Sequence, residues 1–385
     1  MLRRFLVLLP LLFAAAAPLR AAEIQTNAEH ALLMDAQTGQ VLWHKDGMSP
    51  MSPASMSKLM TIELLFQRLK DGRVKLTDTF PVSERAWRTQ GSKSFVKIGD
   101  RLSVETLIQG IIVQSGNDAC IVIAEALGGT VEGFADLMNA RAKRLGLTKS
   151  HFVNPDGLPD PPGQLMSALD LAKLSRHLIR DYPQYYHYFS QKSFSLTNIT
   201  QGNRNLALEM IPGADGLKTG HIDLSGYGVT VSAKRGEQRL ILVVNGLRYP
   251  QYKNDYFPNI RRAEEASRIM EWGFREFRSY PLLTTNQVAG NVALEGGTQP
   301  TVPVTAAKAL NVTMQVESPA GAKIAVRPNP GLKAPVHVGQ RVGVLVVTAP
   351  DFPELKVPVY AAQAVSEVGI AGKLWNSAQR LWKKK

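Results

Sequence analysis

The stretch Ser52-Pro53-Ala54-Ser55-Met56-Ser57-Lys58 leads into an apolar run, Leu59 to Leu69, that has almost no polar face. A helix apolar on every side is a buried helix, so the rest of the chain must be built around it. Ser52 suits an N-cap and Pro53 suits the first helical position. In that register Ser55 stands in the first turn, where backbone N–H groups point outward and the dipole favours negative charge. Lys58 follows three residues later, on the same face and within side-chain reach. A serine hydroxyl is a poor nucleophile until a base takes its proton. A lysine becomes that base only when burial or neighbouring cations lower its pKa. The stretch supplies a nucleophile, a base and a mostly buried setting.

The first residues read as a secretory signal over 1–21: Arg3 and Arg4, an apolar core from Phe5 to Pro18, then small residues. That run is short for a membrane span, and no later stretch is apolar enough to cross a bilayer. Cys120 is the only cysteine among the 385 residues, so no intramolecular disulfide can form and an exported protein must rely on its core. Cys120 lies in an apolar helical context, which predicts a buried, inert thiol. The net charge is +13, and without Arg3, Arg4 and Arg20 it is still +10. An exported basic protein fits an anionic surface, lipid or cell wall, better than nucleic acid. The chain has no zinc-ligand spacing, no phosphate-binding glycine loop and no obvious internal repeat, so neither metal nor cofactor is expected.

Residues 22–283 alternate strand and helix signals. Ala31 to Met34 and Gln40 to Trp43 read as a hairpin around Asp35-Ala36-Gln37-Thr38-Gly39. Helical periodicity follows over 103–112, over Asn117 to Leu127 with Gly128-Gly129 as stop, over Val131 to Leu145 with Gly146 as stop, and over Ala168 to Arg180 with Ser167 as cap. Asn154 to Gly163 is a loop. Gly226 to Ala233 and Arg239 to Asn245 are strands around a tight turn, with Lys218-Thr219-Gly220 just ahead of them and a helix from about Ile260 to Phe277 behind. Strands at both ends enclosing helices predict an α+β domain: one mainly antiparallel sheet covered by helices, with an all-helical insert. Residues 284–362 hold short Val-rich strands between Pro and Gly turns and predict a small β-sandwich. Residues 363–385 change again. Val365, Val368, Ala371, Leu374, Trp375, Ala378, Leu381 and Trp382 recur at spacings of three and four, with Lys373, Arg380 and Lys383 to Lys385 around them. That pattern predicts an amphipathic helix lying in an anionic membrane interface.

Ser-x-x-Lys alone is a weak signal, since Ser94-Phe95-Val96-Lys97 matches it too, without a helix start. The Ser55 copy is followed by Ser115-Gly116-Asn117 between two helical runs and by Lys218-Thr219-Gly220 at a strand. The three motifs in that order match the Ser-x-x-Lys, Ser-x-Asn, Lys-Thr-Gly set of penicillin-recognising enzymes. Pro-Ala-Ser-x-x-Lys at 53–58, Gln-Ser-Gly-Asn-Asp-Ala-Cys at 114–120 and Asp-Gly-Leu-Lys-Thr-Gly-His at 215–221 make the likeness narrower. With the order of signal peptide, catalytic domain, β-sandwich and amphipathic tail, the chain resembles the D-alanyl-D-alanine carboxypeptidases, low-molecular-mass penicillin-binding proteins of the type-5 subgroup.

The resemblance implies a penicillin-recognising, serine transpeptidase-like fold and a serine peptidase that removes the terminal D-alanine of peptidoglycan stem pentapeptides through an acyl-enzyme. It implies β-lactams as covalent inhibitors, a role in peptidoglycan maturation and cell shape, and a peripheral position on the periplasmic face of the inner membrane. Ser55 is then the nucleophile, Lys58 the base and Ser115 the relay to the leaving amine. Asn117, Lys218, Thr219, Gly220 and His221 bind substrate, and Arg248 matches a carboxylate-binding arginine. The Ser55 N–H, with one from the strand near His221, is the expected oxyanion hole. A class A β-lactamase would need a glutamate in the loop after the second motif; residues 150–167 contain none. A DD-endopeptidase differs only in which D-alanyl bond fits the cleft. A non-catalytic wall-binding protein would not need all three motifs intact.

Overall fold

The computed structural model describes residues 24–316, 322–349 and 352–369. The chain opens with the antiparallel pair β1 (His30–Asp35) and β2 (Val41–Lys45). A 3-10 turn, Ala54–Ser57, leads into α1 (Lys58–Lys70). The helical insert follows: the ribbon β3 (Thr79–Pro81) and β4 (Arg101–Ser103) around α2 (Glu84–Arg88), then α3 (Val104–Val113), α4 (Asn117–Gly128), α5 (Val131–Leu145) and α6 (Ala168–Asp181). A second 3-10 turn (Tyr186–Ser190), the hairpin β5 (Ser193–Leu196) and β6 (Ile199–Gly202) and the short α7 (Ala207–Met210) return the chain to the sheet. There it runs as β7 (Ala214–Ile222), β8 (Gly226–Arg235) and β9 (Gln238–Leu247), and α8 (Tyr256–Glu276) closes the unit.

The five-stranded sheet is antiparallel in the order β2-β1-β9-β8-β7, so β7 is an edge strand. Its two faces are set by period-2 alternation. Leu32, Met34, Ile241 and Val243 join the core of the helical side, while Ala31, Leu33, Leu240, Leu242 and Val244 pack under α8. Helix boundaries follow local chemistry. Ser103, Ser167 and Thr130 accept N3-type backbone bonds at the starts of α3, α6 and α5. Gly146 ends α5 in the left-handed region.

The β-domain is a five-stranded sheet, β11 (Val288–Ala293), β12 (Thr301–Ala306), β16 (Phe352–Ala361), β15 (Arg341–Ala349) and β14 (Lys323–Pro328) in spatial order, beside a two-stranded ribbon of β10 (Phe277–Leu283) and β13 (Leu310–Gln315). The break between the two units falls at Glu276–Phe277, where α8 passes directly into β10, rather than at 284, because β10 pairs with β13 along its length. The amphipathic helix expected from 363 does not begin there. Val365 is 2% exposed in the β-domain core, its N–H donates to Val336 O at 2.9 Å, and Val368 N–H donates to Gly296 O at 2.9 Å. These residues have found backbone partners in segments between the strands, so their spacing of three belongs to this packing and not to a helix. Residues 370–385, like the leader 1–23, lie outside the described residues.

α1 is buried along most of its length, as its composition demands, and Glu63 is buried with it. Each large apolar side chain enclosed there stabilises by roughly 1.5–3 kcal/mol, and an unpaired carboxylate would undo that. Glu63 Oε1 accepts from Arg141 Nη2 at 2.6 Å, from Tyr182 OH at 2.9 Å and pairs with His177 Nε2 at 3.1 Å, tying α1 to α5 and α6. Burial raises the Glu63 pKa, but the bonds from His177 and Arg141 outweigh it and hold the carboxyl below its ordinary value. The contribution is therefore present above the unfolded carboxyl pKa of about 4 and is lost as pH falls through the lower folded value. Glu63→Gln is expected to lower stability by roughly 3 kcal/mol at pH 7, because it leaves the Arg141 charge without its anion. A urea-unfolding midpoint that falls while the slope stays constant checks this.

Candidate active site

The nucleophile turn is not the α-helical start that Ser52 and Pro53 predict. Ala54–Ser57 form a 3-10 turn without a side-chain cap, and α1 begins only at Lys58. Ala54 has φ +47°. A non-glycine residue in that region is strained, and such strain persists where the surroundings over-determine the geometry. Three elements hold it. Gly157, at φ +83°, packs so closely that a Cβ there would lie 2.1 Å from Ala54 O, and a Cβ at Gly220 would lie 2.8 Å from Pro53 O. Asn245 Nδ2 donates to Ser52 O at 3.1 Å. The third motif's glycine therefore lets β7 close onto the serine.

Lys58 is fully buried. Its Nζ lies 2.7 Å from Ser55 Oγ, 2.7 Å from Asn117 Oδ1 and 2.5 Å from the carbonyl of Asp156. Burial lowers its pKa; Cys120 and Asp156 oppose that shift and Arg204 adds to it. A neutral amine has two N–H groups and one lone pair. Asn117 and the Asp156 carbonyl accept the two N–H groups, which leaves the lone pair for the hydroxyl of Ser55. Asn117 is oriented in turn by its own Nδ2, which donates to Gln90 O at 2.7 Å.

The second motif sits in the break between α3 and α4, with Ser115 at φ +59°. Lys218 Nζ donates to Ser115 Oγ at 2.9 Å and to Thr219 O at 3.2 Å. Burial pushes the Lys218 pKa well down, and the nearby Lys58 and Arg204 cations push it further. Two buried lysines thus disfavour each other's proton. Cys120 is buried close by and its thiol is pushed up to about 12, mainly by burial, so it stays protonated.

A cleft of about 640 Å³ opens over these groups, lined by Ser55, Ser115, Thr219, Gly220 and His221. Sequence reasoning places Lys-Thr-Gly just before the strands; here it lies inside β7, on the sheet's edge facing the cleft. Gly and Lys interrupt that segment, so it lacks an apolar strand pattern. Ser94, of the second Ser-x-x-Lys copy, is buried, and its backbone N–H donates to Asp118 Oδ1.

Arg248 does not reach this cleft. Its Nε donates to Glu29 Oε1 at 2.9 Å and its Nη atoms donate to the carbonyls of Asp223 and Leu224, in a neighbouring hollow. The turn at Gly226, packed against Leu247 O, presents those carbonyls to it. Two other arginines line the cleft instead, Arg204 and Arg262. Arg262 is 3% exposed, and burial lowers its pKa to about 10. It was legible in principle: it stands on the same stripe of α8 as Ala266, Ile269, Met270 and Gly273, where a charge needs a reason. Arg204, in an irregular segment, carries no such signal.

Two family descriptions match the chain: "D-alanyl-D-alanine carboxypeptidase" over residues 15–248 and "Penicillin-binding protein 5, C-terminal domain" over residues 277–367. The D-alanyl-D-alanine carboxypeptidase DacC of Escherichia coli is 35% identical over 375 residues, covering 95% of this chain and 91% of that protein. DacF of Bacillus subtilis is 31% identical over 360 residues, covering 91% and 89%. The crystal structure of penicillin binding protein 5 from Haemophilus influenzae superposes with a TM-score of 0.80 at 31% identity, covering 90% of this chain and all of that one. Penicillin-Binding Protein D2 from Listeria monocytogenes, in its ampicillin-bound form, gives a TM-score of 0.58 at 26% identity over 66% of this chain. With its motif residues gathered in one cleft, the chain belongs to the D-alanyl-D-alanine carboxypeptidase family of serine peptidases, the low-molecular-mass penicillin-binding proteins.

Proposed function

We propose that this protein removes the terminal D-alanine from peptidoglycan stem pentapeptides and is acylated by β-lactams at the same serine. The observation that carries the reading is the buried Lys58 amine, 2.7 Å from Ser55 Oγ with its two N–H groups already engaged. Ser55 Oγ attacks the carbonyl between the two D-alanines while its proton passes to Lys58 Nζ. The oxyanion forms against the Ser55 N–H and one from β7 near His221. Collapse breaks the C–N bond, and Ser115 passes a proton to the leaving amine, its hydroxyl polarised by Lys218. Water then hydrolyses the acyl-enzyme by the reverse path. Lys218, Arg204 and Arg262 supply the positive field for the substrate's C-terminal carboxylate, with the Thr219 hydroxyl as a neutral donor, the task expected of Arg248. With no glutamate in residues 150–167 to activate water, a penicilloyl adduct has no dedicated route off.

Export to the periplasmic face of the inner membrane, with the tail beyond 369 as a peripheral anchor, fits the basic charge and the Trp-bearing pattern of that tail. No helix of the described residues is long and apolar enough to cross a membrane.

Ser55→Ala is expected to abolish both D-alanine release and penicillin labelling, whereas Ser94→Ala leaves labelling intact; mass spectrometry of the adduct locates the label. Arg204→Ala is expected to lower kcat/KM on peptides with a free carboxylate by roughly 30-fold, and to affect acylation by penicillin esters much less. Neutral Lys58 is needed, so kcat/KM should rise as pH climbs through the lowered Lys58 value; a pH–rate profile tests this. Truncation after Gly369 should abolish flotation with anionic liposomes, since burying Leu374, Trp375, Leu381 and Trp382 contributes on the order of a few kcal/mol. D-alanine release from small peptides should continue.

A further inference from the structure

Residues 366–368 leave the β-domain beside a hollow of about 440 Å³. The turn 295–300 borders both. On one side Thr298 N–H donates to Ser366 O and Val368 N–H to Gly296 O, each at 2.9 Å. On the other, Glu295 N–H donates to Leu332 O at 3.3 Å and Ala334 N–H donates to Glu295 O at 2.9 Å. Those bonds set the turn against residues 328–332, the opposite wall of the hollow.

The walls are mostly apolar. Leu294 and Leu332 line them with three exposed prolines, Pro300, Pro328 and Pro330. Rigid proline rings take up an apolar side chain at little ordering cost. Asn329 stands among them. Its Nδ2 donates to Arg341 O at 3.1 Å, and its Oδ1 is an acceptor suited to an indole N–H. Glu295 on the wall, with Lys333 Nζ at 3.7 Å, and Glu367, which bridges to Gly297, bring negative charge to this corner.

The sequence after Gly369 has the complementary chemistry. Lys373, Leu374 and Trp375 come within seven positions of Val368, about 10 Å on at helical rise. An apolar face suited to a bilayer also needs cover while the protein is in water.

We propose that this hollow is the resting site of the chain's own Leu374–Trp375 pair, so that the tail has two alternative partners, the β-domain and an anionic lipid surface. Trp375 lies on the prolines with its N–H toward Asn329 Oδ1, and Lys373 faces the acidic corner. Docking competes with lipid: only the undocked fraction binds membrane, and the apparent affinity falls by that fraction. The inference takes its lipid partner from the anchor reading proposed above.

The test uses the full chain carrying Lys333→Cys and Asn376→Cys, which leave the walls and the Leu374–Trp375 pair intact, with a short bismaleimide. Cys120 is buried with its thiol pushed up to about 12, so it does not compete. Without lipid, this pair should cross-link within the chain roughly tenfold faster than Asn376→Cys with Gln184→Cys, an exposed position on the catalytic domain. Vesicles of phosphatidylglycerol and phosphatidylethanolamine should suppress the reaction. Equal rates for the two pairs, or products between two chains, overturn the docking while leaving the anchor reading in place. Ala293→Gln crowds the hollow from an exposed position without changing charge. It should raise affinity for the same vesicles about fivefold, as when about four molecules in five hold the tail docked. Unchanged affinity overturns the competition. An unaltered chain that does not float with the vesicles overturns the anchor reading and the competition with it.

Discussion

The structure depends on keeping one lysine amine buried beside another. An isolated ammonium in such a place would be expelled or neutralised, and neutralisation makes Lys58 a base. Everything around it serves that condition. The apolar α1 removes water, Arg204 adds positive charge, and Asn117 with the Asp156 carbonyl holds the amine in one orientation. Oriented dipoles in a dry site act without reorganising during the reaction. Ala54 and Ser115 both adopt positive φ at the two serines, so the motifs are held by packing and not by local preference.

The layout explains why three short motifs so far apart in sequence are enough. One comes from a buried helix start, one from an interhelix break and one from a sheet edge. Each element is anchored elsewhere. Glu63 ties α1 to α5 and α6. Arg239 makes a bidentate pair with Asp215, and Tyr186 OH donates to the same carboxylate, three residues before Lys218. The catalytic side chains are then placed by ordinary core packing and buried ion pairs.

Much of this was legible because local chemistry and tertiary context agree. Ser167 and Gly146 bound α6 and α5 as their residue types require. The apolar α1 could only be an inner helix. The failures are equally physical. β7 escapes notice because Gly216, Lys218 and Gly220 serve the cleft rather than a strand's propensity. Arg248 fits the residue type of a carboxylate binder, but two backbone carbonyls and Glu29 claim it first. Val365 and Val368 keep a helical spacing, yet one fills the β-domain core and both bond to the backbone of connecting segments, at Val336 and Gly296. In each case a contact distant in sequence decides the outcome.

The position of β7 has one more consequence. It is the last strand of its sheet, and among the described residues no other strand pairs with its outer edge. Such an edge is a template for joining another molecule's sheet, a route to aggregation that proteins blunt with charges, bulges or cover. Here Lys218 is buried in the middle of the edge, the strand is bulged near Gly216, and the 3-10 turn at Ala54–Ser57 lies against it. A single extended peptide can enter such a slot, whereas a second sheet, about 10 Å thick with its side chains, would meet the helical wall. Solubility and selectivity for a lone strand then come from the same walls.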